Sequence, residues 1–305
     1  MSSSPPKATP TQALAAQVPK WLAPLQAAPM ALVFVGFFVV PLLLILMVST
    51  WDYNEYEILP AFTLANYATL VEGCMSPDGT CVTLLTYVST IKFSLIVWLV
   101  TLVLGFAVAY YLAFCVQTLR WQIFLFVLCT VPFWTSNVIR MIAWIPLLGR
   151  NGLINQTLVN LGLINEPIEW LLFSEFSVVL AFVHLYTMFM IVPIFNSMAR
   201  IDKRLLEASR DAGASGWQTL LYVVIPLSKT GIVIGSIFVL TIVMGDFVTV
   251  GVMGGQQIAS VGKMIQVQTS YLQFPLAAAN AIALLLIVLM MIWALTRVVD
   301  IRKEL

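Results

Sequence analysis

The chain has 305 residues, 61% of them hydrophobic and 10% charged, with a net charge of +1 at pH 7. A soluble globular domain carries about 25% charged residues, so this composition, with a mean hydropathy of +0.97, excludes one. The chain reads as an all-α polytopic membrane protein, and its near-zero net charge conceals a separation of signs along the sequence.

Residues 1–24, rich in Ser, Pro, Ala and Gln with Lys7 and Lys20, read as a disordered cytoplasmic tail. Apolar runs follow at Leu25–Val48, Tyr87–Phe114, Ile123–Leu148, Phe176–Phe195, Thr230–Val250 and Leu276–Leu295. Each is near the roughly 20 residues that cross a bilayer, which predicts a six-span domain over 25–295 and a short cytoplasmic tail at 296–305. The first run is too long for a signal-peptide core and no cleavage site follows it, so it is read as an uncleaved span.

The first outer loop, 49–85, is acidic, with Asp52, Glu55, Glu57, Glu72 and Asp78. Cys74 and Cys81 bracket a turn-forming Met-Ser-Pro-Asp-Gly-Thr; in an oxidising compartment they pair as a local disulfide, and otherwise they are two free thiols. Between the third and fourth runs, Arg150–Ile164 is weakly amphipathic and predicts a short helix at the outer interface.

Residues 196–229 form a polar island between apolar runs, holding Arg200, Lys203, Arg204, Arg210 and Lys229, five of the fifteen basic side chains. In a first helical piece, Leu205, Ala208 and Ala212 share one face, with Glu207, Arg210 and Asp211 around it. Gly213 and Gly216 permit a change of direction. A second piece runs from Trp217 to Val224, with Pro226 marking its end. Such short surface helices need a groove on a partner.

Counting Lys and Arg with the amino terminus inside gives eleven cytoplasmic and four outer bases, the latter Lys92, Arg140, Arg150 and Lys263. Both termini and the polar island are then cytoplasmic. Eight acids fall outside; a negative mouth attracts cations, although acids also collect wherever bases are excluded.

Glu207, Ala208, Ser209, Gly213, Val223, Ile225 and Pro226 resemble the EAA loop of permease subunits in binding-protein-dependent type I ABC importers, with Ser209 in place of the second alanine. Val131–Asn137, Arg140–Trp144, the Arg150–Ile164 passage and Gly245-Asp246-Phe247-Val248-Thr249 resemble permeases of the spermidine/putrescine type. Phe62–Tyr67 resembles the segment that follows the first span in many such permeases. The resemblance covers about Tyr87 to Trp293. It implies a type I permease fold in a bacterial inner membrane, a second, related permease subunit, two ATPase subunits and a periplasmic substrate-binding protein. Coupling to the ATPase would fall to Glu207, Ala208, Ser209, Arg210, Asp211 and Gly213, with ATP and Mg on the partner ATPase subunits and no cofactor or metal on this chain. The implied cargo is a polyamine; other small solutes, such as an opine, a quaternary amine or ferric ion, fit the same machine.

Ionisable groups at bilayer depth are costly and point to function. Asp246 lies 17 residues beyond Lys229, about 25 Å up a helix. It faces a translocation path and attracts a cation, or pairs with a base such as Arg140, or caps a helix; in a proton-coupled secondary transporter it would carry the proton. Phe247, Trp134, Tyr110 and Tyr186, with Trp144, are candidates for cation–π walls, against the alternative of packing or an interfacial belt. The single histidine, His184, suits packing or an interhelical hydrogen bond. The nearest match to a phosphate-binding loop, at Gly262-Lys263, has Gln257 in place of the first glycine and Met264 in place of the hydroxyl, so nucleotide binding is not expected here.

Overall fold

The computed structural model describes residues 22–54, 57–72, 74 and 81–298. Most of the expected amino-terminal tail, most of the carboxyl-terminal tail, and the turn between Cys74 and Cys81 lie outside the described residues.

The first apolar run forms α1, made of Leu22–Phe34, a π-turn at Val35–Val39, and Val40–Val48. A π-turn of the same kind, Leu220–Val224, sits in the polar island, and each is followed, one residue on, by a proline, Pro41 or Pro226. Proline has no N–H to donate and crowds the carbonyl four residues back; the extra residue in the turn relieves that conflict without ending the helix.

After α1 a two-stranded antiparallel ribbon, β1 (Asp52–Tyr53) with β2 (Ile58–Leu59), leads to α2 (Ala65–Leu70). Asn66 explains the Asn-Tyr pair there: its buried amide donates to the carbonyls of Ser49 and Trp51 at 3.0 and 2.7 Å. The Tyr67 and Ser49 hydroxyls lie 2.7 Å apart, so the loop is tied to the end of α1.

The long α3 (Val82–Tyr110, extended by a π-turn at Tyr111–Cys115), α7 (Glu175–Met198) and α10 (Lys229–Gly245) form the core of the bundle. In lipid the hydrophobic effect gives helices little reason to associate, and close backbone approach at small residues takes its place. A Cβ on Gly105 would meet Met190 at 2.8 Å; one on Gly231 would strike the Pro193 carbonyl and Ser197 Oγ, and one on Gly235 the Met190 sulfur. Trp98 Nε1 donates to Ser236 Oγ at 2.8 Å, joining α3 to α10. The last helix, α13 (Phe274–Val298), is joined to α3 by Tyr87, whose hydroxyl donates to the Asn280 carbonyl at 3.0 Å.

Among the described residues, four helical stretches are long and apolar enough to cross a membrane: Ala28–Val48, Val82–Cys115, Glu169–Met198 and Phe274–Arg297. Up to six spans result if each of two bent pairs counts as one. The third apolar run, expected as one span, is broken: α4 (Leu119–Thr130), with a 3-10 turn at Val131–Trp134, and α5 (Asn137–Leu148), running towards α6 (Leu153–Asn160), meet at 87°. Pro132 tightens the turn, and Thr135 and Ser136 then adopt ψ of 150° and 134°, which ends the helical path. The other pair, Gly216–Leu227 and Lys229–Gly245, is bent by 68°. Pro226 does not end the second loop helix; it lies inside Gly216–Leu227, behind its π-turn, and the break falls at Ser228. The fifth run also stops early, because α10 ends at Gly245 and the chain restarts as α11 (Val248–Met253), followed by α12 (Val261–Ser270).

Candidate functional site

The loop between α7 and α10 is a folded lobe. Its first helix, α8 (Lys203–Asp211), is capped by Asp202, whose Oδ1 accepts the Arg204 N–H at 3.0 Å. At its other end Gly213 has φ +82°, and the N–H groups of Gly213 and Ala214 return to the carbonyls of Arg210 and Ser209 at 2.8 and 3.1 Å. That Schellman closure needs a left-handed residue, which glycine supplies without strain. Ser215 caps the second helix, α9 (Gly216–Thr219), in a reciprocal box with Gln218. Gly216, expected as a second bend, is instead the first helical residue after that cap.

The two helices are stapled together. The Ser209 and Thr219 hydroxyls lie 2.8 Å apart, and Leu206 packs on the hydrophobic core. Glu207, Ala208, Arg210 and Asp211 are exposed, and Ser209 is half-buried. Leu205 and Ala212 are exposed too, so the stripe read from the sequence faces away from the chain's own core. Glu207 makes no hydrogen bond or ion pair among the described residues. A rigid lobe with an uncommitted carboxylate and an outward apolar stripe presents a surface and holds it still.

Asp246 stands at the break between α10 and α11. Its Oδ1 accepts the Thr249 N–H at 2.9 Å, and its Oδ2 accepts the Thr249 and Tyr186 hydroxyls, each at 2.6 Å. The carboxylate therefore caps α11 and ties it to α7. Of the three alternatives open in the sequence, the hydrogen bonding matches the capping one, and no Arg140 nitrogen lies within 4 Å of Asp246. The other path candidates are scattered. Phe247 is adjacent and 43% exposed, and Trp134 is 84% exposed on the 3-10 turn. Tyr110 packs on Phe114 at 5.2 Å. Among the described residues neither Trp134 nor Tyr110 has a hydrogen bond or ring contact with Asp246 or Tyr186.

Phe182 and Phe189, the ring neighbours of Tyr186, were missed. Tyr186 belongs to an aromatic line through α7, with Phe182 at 5.8 Å and Phe189 at 6.0 Å, extended by Phe93, Phe133 and Phe238. The spacing of Phe182, Tyr186 and Phe189 at i, i+4 and i+7 is the signal that finds it. His184 accepts the Trp144 indole N–H through Nδ1 at 3.0 Å, an interhelical bond between α7 and α5. Arg140, placed on the outer side by charge counting, is only 9% exposed and lines a cavity beside His184. At the opposite extreme of the chain's chemistry, Cys74 and Cys81 are joined as a disulfide with Cα atoms 4.6 Å apart.

Comparison with known proteins adds the family. Over 243 residues the chain is 34% identical to the spermidine/putrescine transport system permease protein PotB of Salmonella typhimurium (strain SL1344), covering 78% of this chain and 81% of that protein. The PotB of Escherichia coli (strain K12) is 34% identical over 248 residues, covering 80% of this chain and 86% of the relative. A chain in the crystal structure of a bacterial alginate ABC transporter, complexed with an alginate pentasaccharide-bound periplasmic protein, superposes with a TM-score of 0.71. That match covers 91% of this chain and 93% of the other at 15% identity, so it speaks for the fold alone. The model of the binding-protein-dependent transport system inner membrane component matches residues 119–302, which span the bent third run, the lobe and the Asp246 break, and the chain belongs to that family: a multi-pass permease subunit of an ABC importer, with a transport role and not an enzymatic one.

Proposed function

We propose that the chain carries polyamines, cations of the spermidine and putrescine kind, through a bacterial inner membrane as one half of a pair of related permeases served by two ATPase subunits and a periplasmic binding protein. The observation that carries the coupling half of this reading is the lobe, where an unpaired Glu207 stands on a helix stapled to its neighbour by Ser209 and Thr219. Likeness to the PotB relatives supports the cargo. Both termini lie in the cytoplasm in this reading, so the lobe meets the ATPase there.

ATP-driven closure of the ATPase pair pushes on Glu207, Ala208, Arg210 and Asp211, while Gly213 and the Ser209 hydroxyl keep the lobe from yielding. The push passes through Gly216–Leu227 to the bend at Ser228 and into α10. Asp246 and Tyr186 sit at the far end of α10, about 25 Å along it, where motion of that helix changes the polar break. The fixed carboxylate of Asp246, with the exposed rings of Phe247 and Trp134, offers a passing cation negative potential and π faces, and Tyr110 stands further along the path.

The test is uptake of radiolabelled spermidine and putrescine by vesicles holding the assembled complex, with wild-type Glu207 and with Glu207→Ala. Saturable ATP-dependent uptake that the variant loses while still assembled supports both halves. Binding-protein-stimulated ATP hydrolysis that needs Glu207 without polyamine uptake keeps the coupling and discards the cargo.

A further inference from the structure

A charge buried in a low-dielectric interior is costly unless a counter-charge or a full set of hydrogen bonds accompanies it. Arg140 breaks that rule. It is 9% exposed, its one hydrogen bond runs from Nη2 to Asn137 Oδ1, and its buried Nε has no partner. Among the described residues no carboxylate oxygen lies within 4 Å of the guanidinium; the ion pairs are Lys92–Glu175 and Arg150–Glu169. Asp246, the acid expected as its partner, is held by Tyr186 and Thr249 instead.

The depth makes the omission more serious. His184, which shares the cavity with Arg140, lies nine residues into α7, about 14 Å along the span. The cavity has a volume of about 190 Å³ and sits at the inner side of the bend in the third run, lined by Cys129, Phe133, Arg140, His184, Thr187 and Met188. His184 adds a second donor. Its Nδ1 accepts the Trp144 N–H, so in the neutral ring the proton is on Nε2, and Nε2 has no partner among the described residues. Thr187 gives its hydroxyl proton to the Val183 carbonyl. The cavity thus gathers a guanidinium and an imidazole N–H against apolar walls, with no anion of its own.

We propose that this cavity is a carboxylate-binding site, with Arg140 as the charge partner and His184 as the second donor. The carboxylate comes from outside the chain, carried either by an Asp or Glu of the paired permease or by a small solute in the path. The inference rests on the permease reading but not on the identity of the cargo. A planar guanidinium takes a carboxylate through two parallel N–H bonds on one edge, and among the described residues only one of the five N–H groups of Arg140, on Nη2, has a partner.

The experiment follows thermal dissociation of the assembled complex in lipid nanodiscs, with acetate as the probe and the bulky MES anion holding ionic strength constant. If a small solute fills the site, tens of millimolar acetate raise the dissociation temperature of the wild type by several degrees and leave Arg140→Gln unmoved. If the paired permease fills it, acetate has no effect, while Arg140→Gln retains less than a tenth of its partner through purification and Arg140→Lys more than half. An Arg140→Gln complex that assembles in full, dissociates at or above the wild-type temperature and ignores acetate overturns the proposal, because the guanidinium is then only an uncompensated charge. Where the Gln variant fails to accumulate, Arg140→Lys decides: retained partner supports the site, and equal loss in both variants overturns it. None of these readouts uses ATP or cargo, so failure of the coupling reading at Glu207 is scored separately.

Discussion

The carboxylate of Asp246 is the group whose removal separates a structural role from a role in attracting cargo. Asp246→Ala deletes the cap on α11, worth about 1 kcal/mol, and leaves the Tyr186 and Thr249 hydroxyls without a charge-assisted bond of roughly 1.5–3 kcal/mol each. Because Asp246 is half-buried, the lower end of those ranges applies, and the loss is about 4 kcal/mol. Asp246→Asn keeps the cap, since Asn serves there as well as Asp, but turns an acceptor into a donor facing two hydroxyls; a cost of about 1–2 kcal/mol is expected. Tyr186→Phe removes one of the same bonds, and a double-mutant cycle with Asp246→Asn is expected to return a coupling of about 1–2 kcal/mol. The assay is denaturant-driven dissociation of the assembled complex, run beside uptake kinetics per assembled complex. A coupling near zero, or an Ala variant as stable as wild type, refutes the capping argument. A tenfold rise in KM for Asp246→Asn at unchanged stability would assign the charge to the cargo alone.

Four further outcomes are expected. Gly231→Val drives a side chain into the Pro193 carbonyl and Ser197, so it is expected to abolish assembly, whereas Gly245→Ala, with nothing within 4 Å of its Cβ, leaves assembly intact; yield of purified complex checks both. Gly213→Ala at φ +82° is expected to cost about 1 kcal/mol in the lobe and to lower ATP-coupled uptake, with Asp202→Ala costing a similar amount through its lost cap; protease resistance of the loop reads each. Ser209→Ala removes only the Thr219 contact, so its expected cost is about 1 kcal/mol or less, and a complete loss of assembly would contradict the stapled lobe. Alkylation of Cys74 and Cys81 is expected only after reduction, and a Cys74→Ser, Cys81→Ser chain is expected to loosen the loop after α1 by about 2.5 kcal/mol while the core assembles as before; mass spectrometry and limited proteolysis report these.

The apolar runs and the polar lobe between the fourth and fifth of them were legible, because lipid forces long hydrophobic helices and expels charge from between them. The break inside the third run was not. Around Thr135 and Ser136 both flanks are apolar, and hydropathy averages across the 87° bend as though it were one span. Pro226 misled for a different reason: a π-turn lets a helix pass through a proline that would otherwise end it. The burial of Arg140 was not legible because counting bases assigns a residue to a side through its sequence neighbours, whereas burial depends on how α5 packs beside α7. In the lobe, the apolar stripe of Leu205, Ala208 and Ala212 lies outside, open to a partner, while Leu206 and Ser209, which the sequence did not single out as inward residues, turn towards the chain. The Asp246 cap was present as Asp-x-x-Thr, a pattern that gains meaning only once the helix is known to stop at Gly245.

The π-turn at Leu220–Val224 also sets a rotational phase. Each residue of a helix advances its side chain by about 100°, so one extra residue in a turn rotates everything beyond it by that amount relative to an uninterrupted helix. Ile225–Leu227, and the bend that launches α10, therefore take their heading from a single inserted position beyond the capped start of α9. Deleting one residue there would not simply shorten the connection. It would turn the lobe about a quarter revolution against α10, and under the proposed coupling the push would then reach that span misaligned.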